Sequence, residues 1–312
     1  DMEFVKQLAR KVTVLCEGVR GSLTKRLTPR LNLEEGRAPQ IYATGIKEVW
    51  RMPAGRVPKG RVIHTMGYPL DSGTFGGGFI YGMDRDRWAV GFVVGLDYQD
   101  PTTDPHGLMQ EYKRHPLVAK LLEGGTLHSY GAKAIPEGGF YSMPRLSWAG
   151  GLLCGDSGAF LNSQRLKGVH LAMKSAMLAA ETAFEALQKG DFGAETLRGY
   201  DRRVRESWIW PELYKVRNFH QAFEHGLWMG MVDTGLQIVT NGLGFGNRPR
   251  WKPGHARMRK LSDTGAKPVS LEETQKRYDG ARTFTKLSNV FVSGTKHEED
   301  QPAHLLVADP NI

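Results

Sequence analysis

The chain has 312 residues, 40% of them hydrophobic, with 38 glycines and a formal net charge of +9. That length gives room for two modest domains with proper cores. No uncharged apolar run reaches the ~18 residues needed to span a bilayer, Cys16 and Cys154 are too few thiols for a four-iron cluster, and the charged start at Asp1 is not expected to be a signal peptide.

In chain order, Val12, Thr13, Val14, Leu15 and Cys16 read as a strand that ends in Glu17-Gly18, followed by a turn and a short basic helix. Residues 42–97 read as antiparallel β, with short strands at 49–52 and 61–64 and a pair at 78–81 and 88–94 around the turn Asp84-Arg85-Asp86. The run 88–94 is almost continuously apolar, so it is expected to be buried on both faces. Residues 104–122 read as loop and helix, with Pro101, Pro105 and Pro116 as breaks. A buried strand, Leu152-Leu153-Cys154, ends in Gly155-Asp156-Ser157-Gly158. The spacing predicts a helix over 169–187 with an apolar stripe of Val169, Met173, Ala176, Met177, Ala180, Phe184 and Leu187. Residues 222–245 are greasy but broken by five glycines, Glu224 and Asp233, and 248–274 read as a basic loop or linker. Both cysteines read as small buried strand residues.

The positive charge calls for an anionic partner or describes a solvated basic surface. No nucleic-acid-binding motif occurs, so nucleic acid is not an expected partner. An acid at a strand end, as at Asp156, accepts hydrogen bonds from a ribose or ribityl hydroxyl, or simply caps a turn. Glycines let backbone approach a flat ring, and a helix start offers unpaired N–H groups and a positive dipole. Gly76-Gly77 reads as a place where a ligand meets bare backbone, or as a bulge or hairpin turn. Gly155-Asp156-Ser157-Gly158 also matches a trypsin-like nucleophile tetrapeptide, but a long helix follows and no Ala-His-Cys precedes it. His297 and His304 flank Glu298-Glu299-Asp300 without the fixed spacing of a metal site.

Several stretches carry a family resemblance. They are Lys47-Glu48-Val49-Trp50, His64-Thr65-Met66-Gly67-Tyr68-Pro69-Leu70, Thr74-Phe75-Gly76-Gly77, Val93-Val94-Gly95-Leu96-Asp97-Tyr98-Gln99 and Tyr130-Gly131-Ala132-Lys133. Pro136-Glu137-Gly138-Gly139-Phe140, the Gly155–Asn162 run, Ser207-Trp208-Ile209-Trp210, Glu212-Leu213-Tyr214 and Ser293-Gly294-Thr295-Lys296-His297-Glu298-Glu299-Asp300-Gln301-Pro302-Ala303-His304 complete the set. In this order they resemble the glutathione-reductase-type flavoproteins, and within them the electron transfer flavoprotein–ubiquinone oxidoreductases, over nearly the whole chain.

The resemblance implies an α/β fold: part of a glutathione-reductase-like FAD-binding domain, an inserted antiparallel β-rich ubiquinone-binding domain and C-terminal helices. The implied boundaries are 1–30 and 146–200 for the FAD domain, 31–145 for the quinone-binding insertion, and 201–312 for a helical membrane-contacting region leading into a ferredoxin-like module. It implies electron transfer from reduced electron transfer flavoprotein, through FAD and a [4Fe-4S] cluster, to ubiquinone on an inner membrane, bacterial or mitochondrial. Implied cofactor contacts are Glu17, Gly18, Gly155, Asp156, Gly158, Asn162, Gly168 and Lys174. Gly76 and Gly77 are the implied quinone contacts. Phe223, Leu227, Trp228, Met231, Ile238 and Phe245 are implied to meet the membrane, with Arg248, Arg250, Lys252, Arg257, Arg259 and Lys260 drawing anionic lipid. On residues alone, 222–245 reads equally as a core helix pair.

The family's opening Gly-x-Gly-x-x-Gly turn and its four cluster cysteines are absent from this sequence. The chain is therefore expected to be a fragment of a longer enzyme, with no metal site of its own and little activity alone. Alternatives are a geranylgeranyl-reductase-type flavin-dependent lipid reductase and a non-catalytic membrane-binding module.

Overall fold

A computed structural model describes residues 11–265, 277–296 and 300 of the protein. His297, Glu298, Glu299 and His304 lie outside the described residues. The described strands are β1 (Thr13–Leu15), β2 (Tyr42–Arg51), β3 (Val62–Thr65), β4 (Gly76–Gly82), β5 (Arg87–Gly95), β6 (Thr126–Pro136), β7 (Ser147–Trp148) and β8 (Gly151–Leu153).

They form two sheets. In the smaller, β1 runs parallel to β8, pairing Leu15 with Leu153, and β7 runs antiparallel on the other side of β8. A parallel pair needs a long crossover, and here the crossover is the entire larger sheet. That sheet is antiparallel, in the order β3-β4-β5-β2-β6. β5 lies at its centre, and from Trp88 to Gly95 every residue is buried, as the unbroken apolar run predicts. β2 is longer than its sequence pattern suggests. Its start, Tyr42-Ala43-Thr44-Gly45, carries little apolar alternation, yet it is held by ladders to β5 and β6 on both sides.

Each sheet has its own core. Leu15, Leu152, Leu153 and Phe160 pack with Leu171, Leu178 and Ala179 of the helix Val169–Lys189, and with Tyr200, Val204, Ile209 and Leu213 beyond it. The second core gathers Trp50, Trp88, Val90, Phe92 and Val94 of the large sheet under Met109 and Tyr112 of the helix Pro105–Tyr112. A fully buried ion pair ties the end of that helix to the sheet: Lys113 Nζ lies 2.9 Å from Glu48 Oε1, while Trp50 Nε1 donates to Glu48 Oε2. Each charge keeps a partner, which is the condition for burying one at all.

Three expectations change. The helix at 169–187 forms, but it buries Leu171, Ser175, Leu178, Ala179, Thr182 and Ala186, while Val169, Met173, Met177, Phe184 and Leu187 are exposed. Cys154 is buried but Cys16 is exposed. The stretch after residue 248, as far as residue 265, is loop with one-turn helices at Gly254–Arg257 and Leu261–Thr264, but Arg250 and Arg257 fasten it to Asp97, so it is a packed loop and not a free linker.

Candidate functional site

β8 enters the first candidate corner fully buried, then Gly155 turns with φ +58° into a single helical turn, Gly155–Gly158. The Gly155 N–H donates to Ser175 Oγ, and a Cβ at Gly155 would press on Ala172 of the following helix. Ser157 Oγ donates to the carbonyl of Gly18 at 3.0 Å. The two acid-glycine turns, far apart in sequence, are therefore bolted together.

Beside them lies a cleft of about 300 Å³, walled by Arg20, Thr24, Lys25, Tyr42, Asp156 and Ser157. The Asp156 carboxylate faces it half-buried and accepts no hydrogen bond from the described residues. Burial pushes its pKa above the ordinary value, and the charge of Lys133 offsets that only in part. An orphaned acceptor on a cleft fits a hydroxyl-bearing ligand, because a ribose or ribityl O–H supplies the missing donor.

The other expected cofactor contacts do not all face this cleft. Glu17 is engaged with its own chain: Oε1 accepts from Leu23 N, and Oε2 from Thr24 N and Thr24 Oγ1 at 2.7 Å. It caps the helix Ser22–Arg30, whose N-cap position, Gly21, has no side chain to do so. Asn162 is buried, donates to Glu212 Oε1 and accepts from Arg165 N. Gly158 is glycine because a Cβ would run into Phe160 and Leu146, and Gly168 because one would crowd Leu161 and Asp156. Gly18, with φ +81° and open space around its Cα, remains available to a ligand. Lys174, part-exposed on the Val169–Lys189 helix, makes no hydrogen bond or ion pair with the described residues.

The second candidate corner is the start of β4. Gly76 and Gly77 pair in regular register with Val94 and Val93, so neither a bulge nor a hairpin turn lies there. A Cβ at Gly76 would collide with the Val93 carbonyl, and one at Gly77 with the Thr65 carbonyl. Close strand approach, not ligand access alone, demands both glycines. A cavity of about 10 Å³, room for one water, is lined by Met66, Asp71, Phe75, Gly76, Phe223 and Leu227. Gly76 borders it and Gly77 does not.

Phe223 was expected at the membrane, but it is buried; its ring lies 5.3 Å from that of Phe75. Leu227 is part-buried on the same cavity. Trp228, Met231, Ile238 and Phe245 are exposed, on or just after the helix Leu227–Val239, with Trp228 at 75% and Ile238 at 73%. Part of the expected basic fringe is consumed internally. Arg248 pairs with Asp233, Arg250 with Asp97 and Glu224, and Arg257 with Asp97.

Under Phe75 lies a buried charge cluster that no local pattern announces. The His220 ring packs 4.4 Å from that of Phe75. Its Nε2 is 3.4 Å from Asp97 Oδ2, and its Nδ1 is 3.3 Å from Glu137 Oε2, a contact without hydrogen-bond alignment. The single available signal was a pair of acids at the ends of β5 and β6.

The family model described as ETF-QO, ubiquinone-binding matches residues 42–135. Along 98% of its length, the chain is 39% identical to the mitochondrial electron transfer flavoprotein-ubiquinone oxidoreductase of Oryza sativa subsp. japonica, over 311 residues and 52% of that protein. Against the Sus scrofa protein of the same name it is 40% identical over 317 residues, 50% of that protein. Over the half it spans, the chain is similar to the electron transfer flavoprotein–ubiquinone oxidoreductases. It covers about half the length of these curated relatives.

The trypsin-like reading falls: Ser157 donates to a backbone carbonyl, and a helix follows it. A geranylgeranyl bacteriochlorophyll reductase-like protein from Thermoplasma acidophilum shares the fold, with TM-score 0.51 at 12% identity over 74% of this chain and 58% of that one. The α/β fold with an added antiparallel sheet is thus as expected. Among the described residues no helix is long and apolar enough to cross a membrane, and no three His, Cys, Asp or Glu side chains gather as a metal site. The residues present do not fit an iron–sulfur cluster.

Proposed function

We propose that this chain is the flavin-facing and quinone-facing part of an oxidoreductase that takes electrons from reduced electron transfer flavoprotein and delivers them to ubiquinone at an inner-membrane surface. The observation that carries this reading is a convergence. Gly76, inside the stretch matched as ubiquinone-binding, and Phe223 and Leu227, from the greasy segment, border one cavity. A quinone ring is apolar on its faces and polar at two oxygens, and this corner offers aromatic and aliphatic walls beside strand backbone. The cavity holds one water as it stands, so entry of the ring requires Leu227 and its neighbours to part.

FAD, when bound, supplies the two-electron chemistry. In this chain Asp156 would hold it by accepting from a ribose or ribityl hydroxyl, with open space left at Gly18 beside it. The start of the Val169–Lys189 helix adds a positive dipole, and Lys174 lies on the second turn of that helix. We assign no step to a [4Fe-4S] cluster. The flavin domain would take 1–30 and 146–215, past the boundary expected at 200, because Tyr200, Val204, Ile209 and Leu213 belong to its core. The quinone-binding insertion would take 31–145. Trp228, Met231, Ile238 and Phe245 would enter the membrane surface.

The test is photolabelling of the complete protein with a photoreactive short-tailed ubiquinone. Label is expected on peptides spanning 66–77 and 219–231, and label confined elsewhere would overturn the quinone assignment. The shared fold favours a lipid reductase as the second reading. Reduction of the protein by electron transfer flavoprotein separates the two, because a lipid reductase has no use for that donor.

A further inference from the structure

Converting a quinone to a quinol needs two protons as well as two electrons, and an apolar corner must obtain them from somewhere. Among the described residues bordering the small cavity, Asp71 is the titratable side chain. It also borders two clefts open to solvent. One, of about 390 Å³, includes Asp71, Thr74, Asp104, Glu111 and Arg114; the other, of about 310 Å³, includes Asp71, Thr74, Asp100 and Arg259. Asp71 and Thr74 thus form the partition between the quinone-side cavity and bulk water.

The carboxylate is half engaged. Its Oδ1 accepts from Gly73 N at 3.0 Å, which fixes its direction, while Oδ2 accepts no hydrogen bond from the described residues. His220 is nearer the aromatic cluster but does not border the cavity. Phe75 covers it, and its two nitrogens face Asp97 and Glu137.

We propose that Asp71 carries protons from the solvent clefts to the quinone held beside Gly76, an inference that rests on the quinone reading above. A proton from cleft water is taken by Oδ2. As two electrons pass from a flavin-class donor to the quinone, the Asp71 O–H bond breaks and an O–H bond forms on the nearer carbonyl oxygen, directly or through the one water the cavity admits. The second quinol proton comes from water, and Asp71 is recharged from the cleft. The charged groups around this route are Asp100, Asp104, Glu111, Arg114, Arg259 and Arg277.

The experiment compares wild type, Asp71→Asn and Asp71→Glu in the complete, cofactor-loaded protein. Asp71→Asn is expected to lower quinone turnover roughly 10²-fold, the scale of a lost proton-transfer group, and to change its pH profile. Binding of a short-tailed ubiquinone, followed by titration, should stay within about twofold of wild type, since turnover and not affinity is affected. Reduction of ferricenium, a one-electron acceptor that takes no proton, should be unchanged. Asp71→Glu should keep most of the activity, and added formate should restore part of it in Asp71→Asn. Unchanged quinone turnover in Asp71→Asn, or an equal loss with ferricenium, overturns the proton route. Failure of the quinone site itself would show separately, as absent photolabel at 66–77.

Discussion

A half-buried carboxylate without a donor destabilises the chain that carries it, and Asp156 is such a group. Its pKa is raised by burial, so the protonated form is favoured in the fold and the associated stability fades as pH rises above the ordinary aspartate value. Asp156→Asn removes the charge and keeps the shape. In the flavin-free protein it is expected to raise stability near neutral pH by about 1 kcal/mol, allowing for partial exposure. It should weaken FAD binding about tenfold, the cost of replacing a charged acceptor with a neutral one. Thermal unfolding and flavin titration on one pair of proteins check both, and unaltered FAD affinity would remove Asp156 from the site. The neighbouring residues mark the limit of reading single positions. Acid-glycine turns after strands were legible, but whether an acid faces a ligand or its own backbone is decided by geometry a few residues on. Glu17 turns back because Gly21 leaves room for it; a Cβ there would overlap the Glu17 side chain.

At the scale of elements, periodicity located the Val169–Lys189 helix but chose the wrong face. Outside the strip of His170, Lys174, Glu181 and Glu185 the helix is mostly apolar or small, so hydrophobicity does not discriminate between the two sides that flank that strip. The buried side includes Ser175 and Thr182, which look polar in sequence. Their hydroxyls are satisfied: Ser175 donates to the Ala172 carbonyl, and Thr182 donates to Leu178 and accepts from Arg203. Small satisfied residues let the helix approach the sheet closely, a gain that a hydrophobic stripe does not register. The helix Leu227–Val239 poses the complementary case, because its exposed side is the greasy one, with Trp228, Val232, Ile238 and Val239 in solvent. We expect the complete protein to bind phospholipid vesicles through this face. Trp228→Ser combined with Ile238→Ser should weaken that binding at least about tenfold, since each side chain is worth ~1.5–3 kcal/mol when fully buried. Salt should matter less than the net charge suggests, because Arg248, Arg250 and Arg257 are already paired and Lys252 and Lys260 remain exposed. Vesicle sedimentation across salt tests both parts, and loss of binding in moderate salt by the wild type would show that charge, not the apolar face, holds it.

Across the whole molecule most strands of the two sheets were foreseeable, because strand patterns are local, but β6, β7 and what joins the large sheet to the helical layer were not. Asp97 and Arg250 are 153 residues apart, and Glu137 and His220 come from two further elements. Burial favours the neutral His220 ring, yet the carboxylates of Asp97 and Glu137 outweigh it and raise its pKa to about 9, from an ordinary 6.5. Burial also works against the Asp97 charge, but His220 and Arg250 hold that carboxyl far below its ordinary 3.8. The signs then fix a window. The Asp97 contribution is present above pH 3.8 and is lost as pH falls through its lowered value. The His220 contribution is complete below pH 6.5 and is lost as pH rises through about 9. Denaturant unfolding of the complete protein should therefore show stability falling by an amount on the order of 3 kcal/mol between pH 6.5 and 9. In Glu137→Gln the imidazolium keeps only one of its two acids, so the fall should be shallower and should begin from a lower plateau. The difference between the two curves cancels groups unrelated to this cluster, and curves that run parallel across the window would mean that His220 does not hold its proton between these carboxylates.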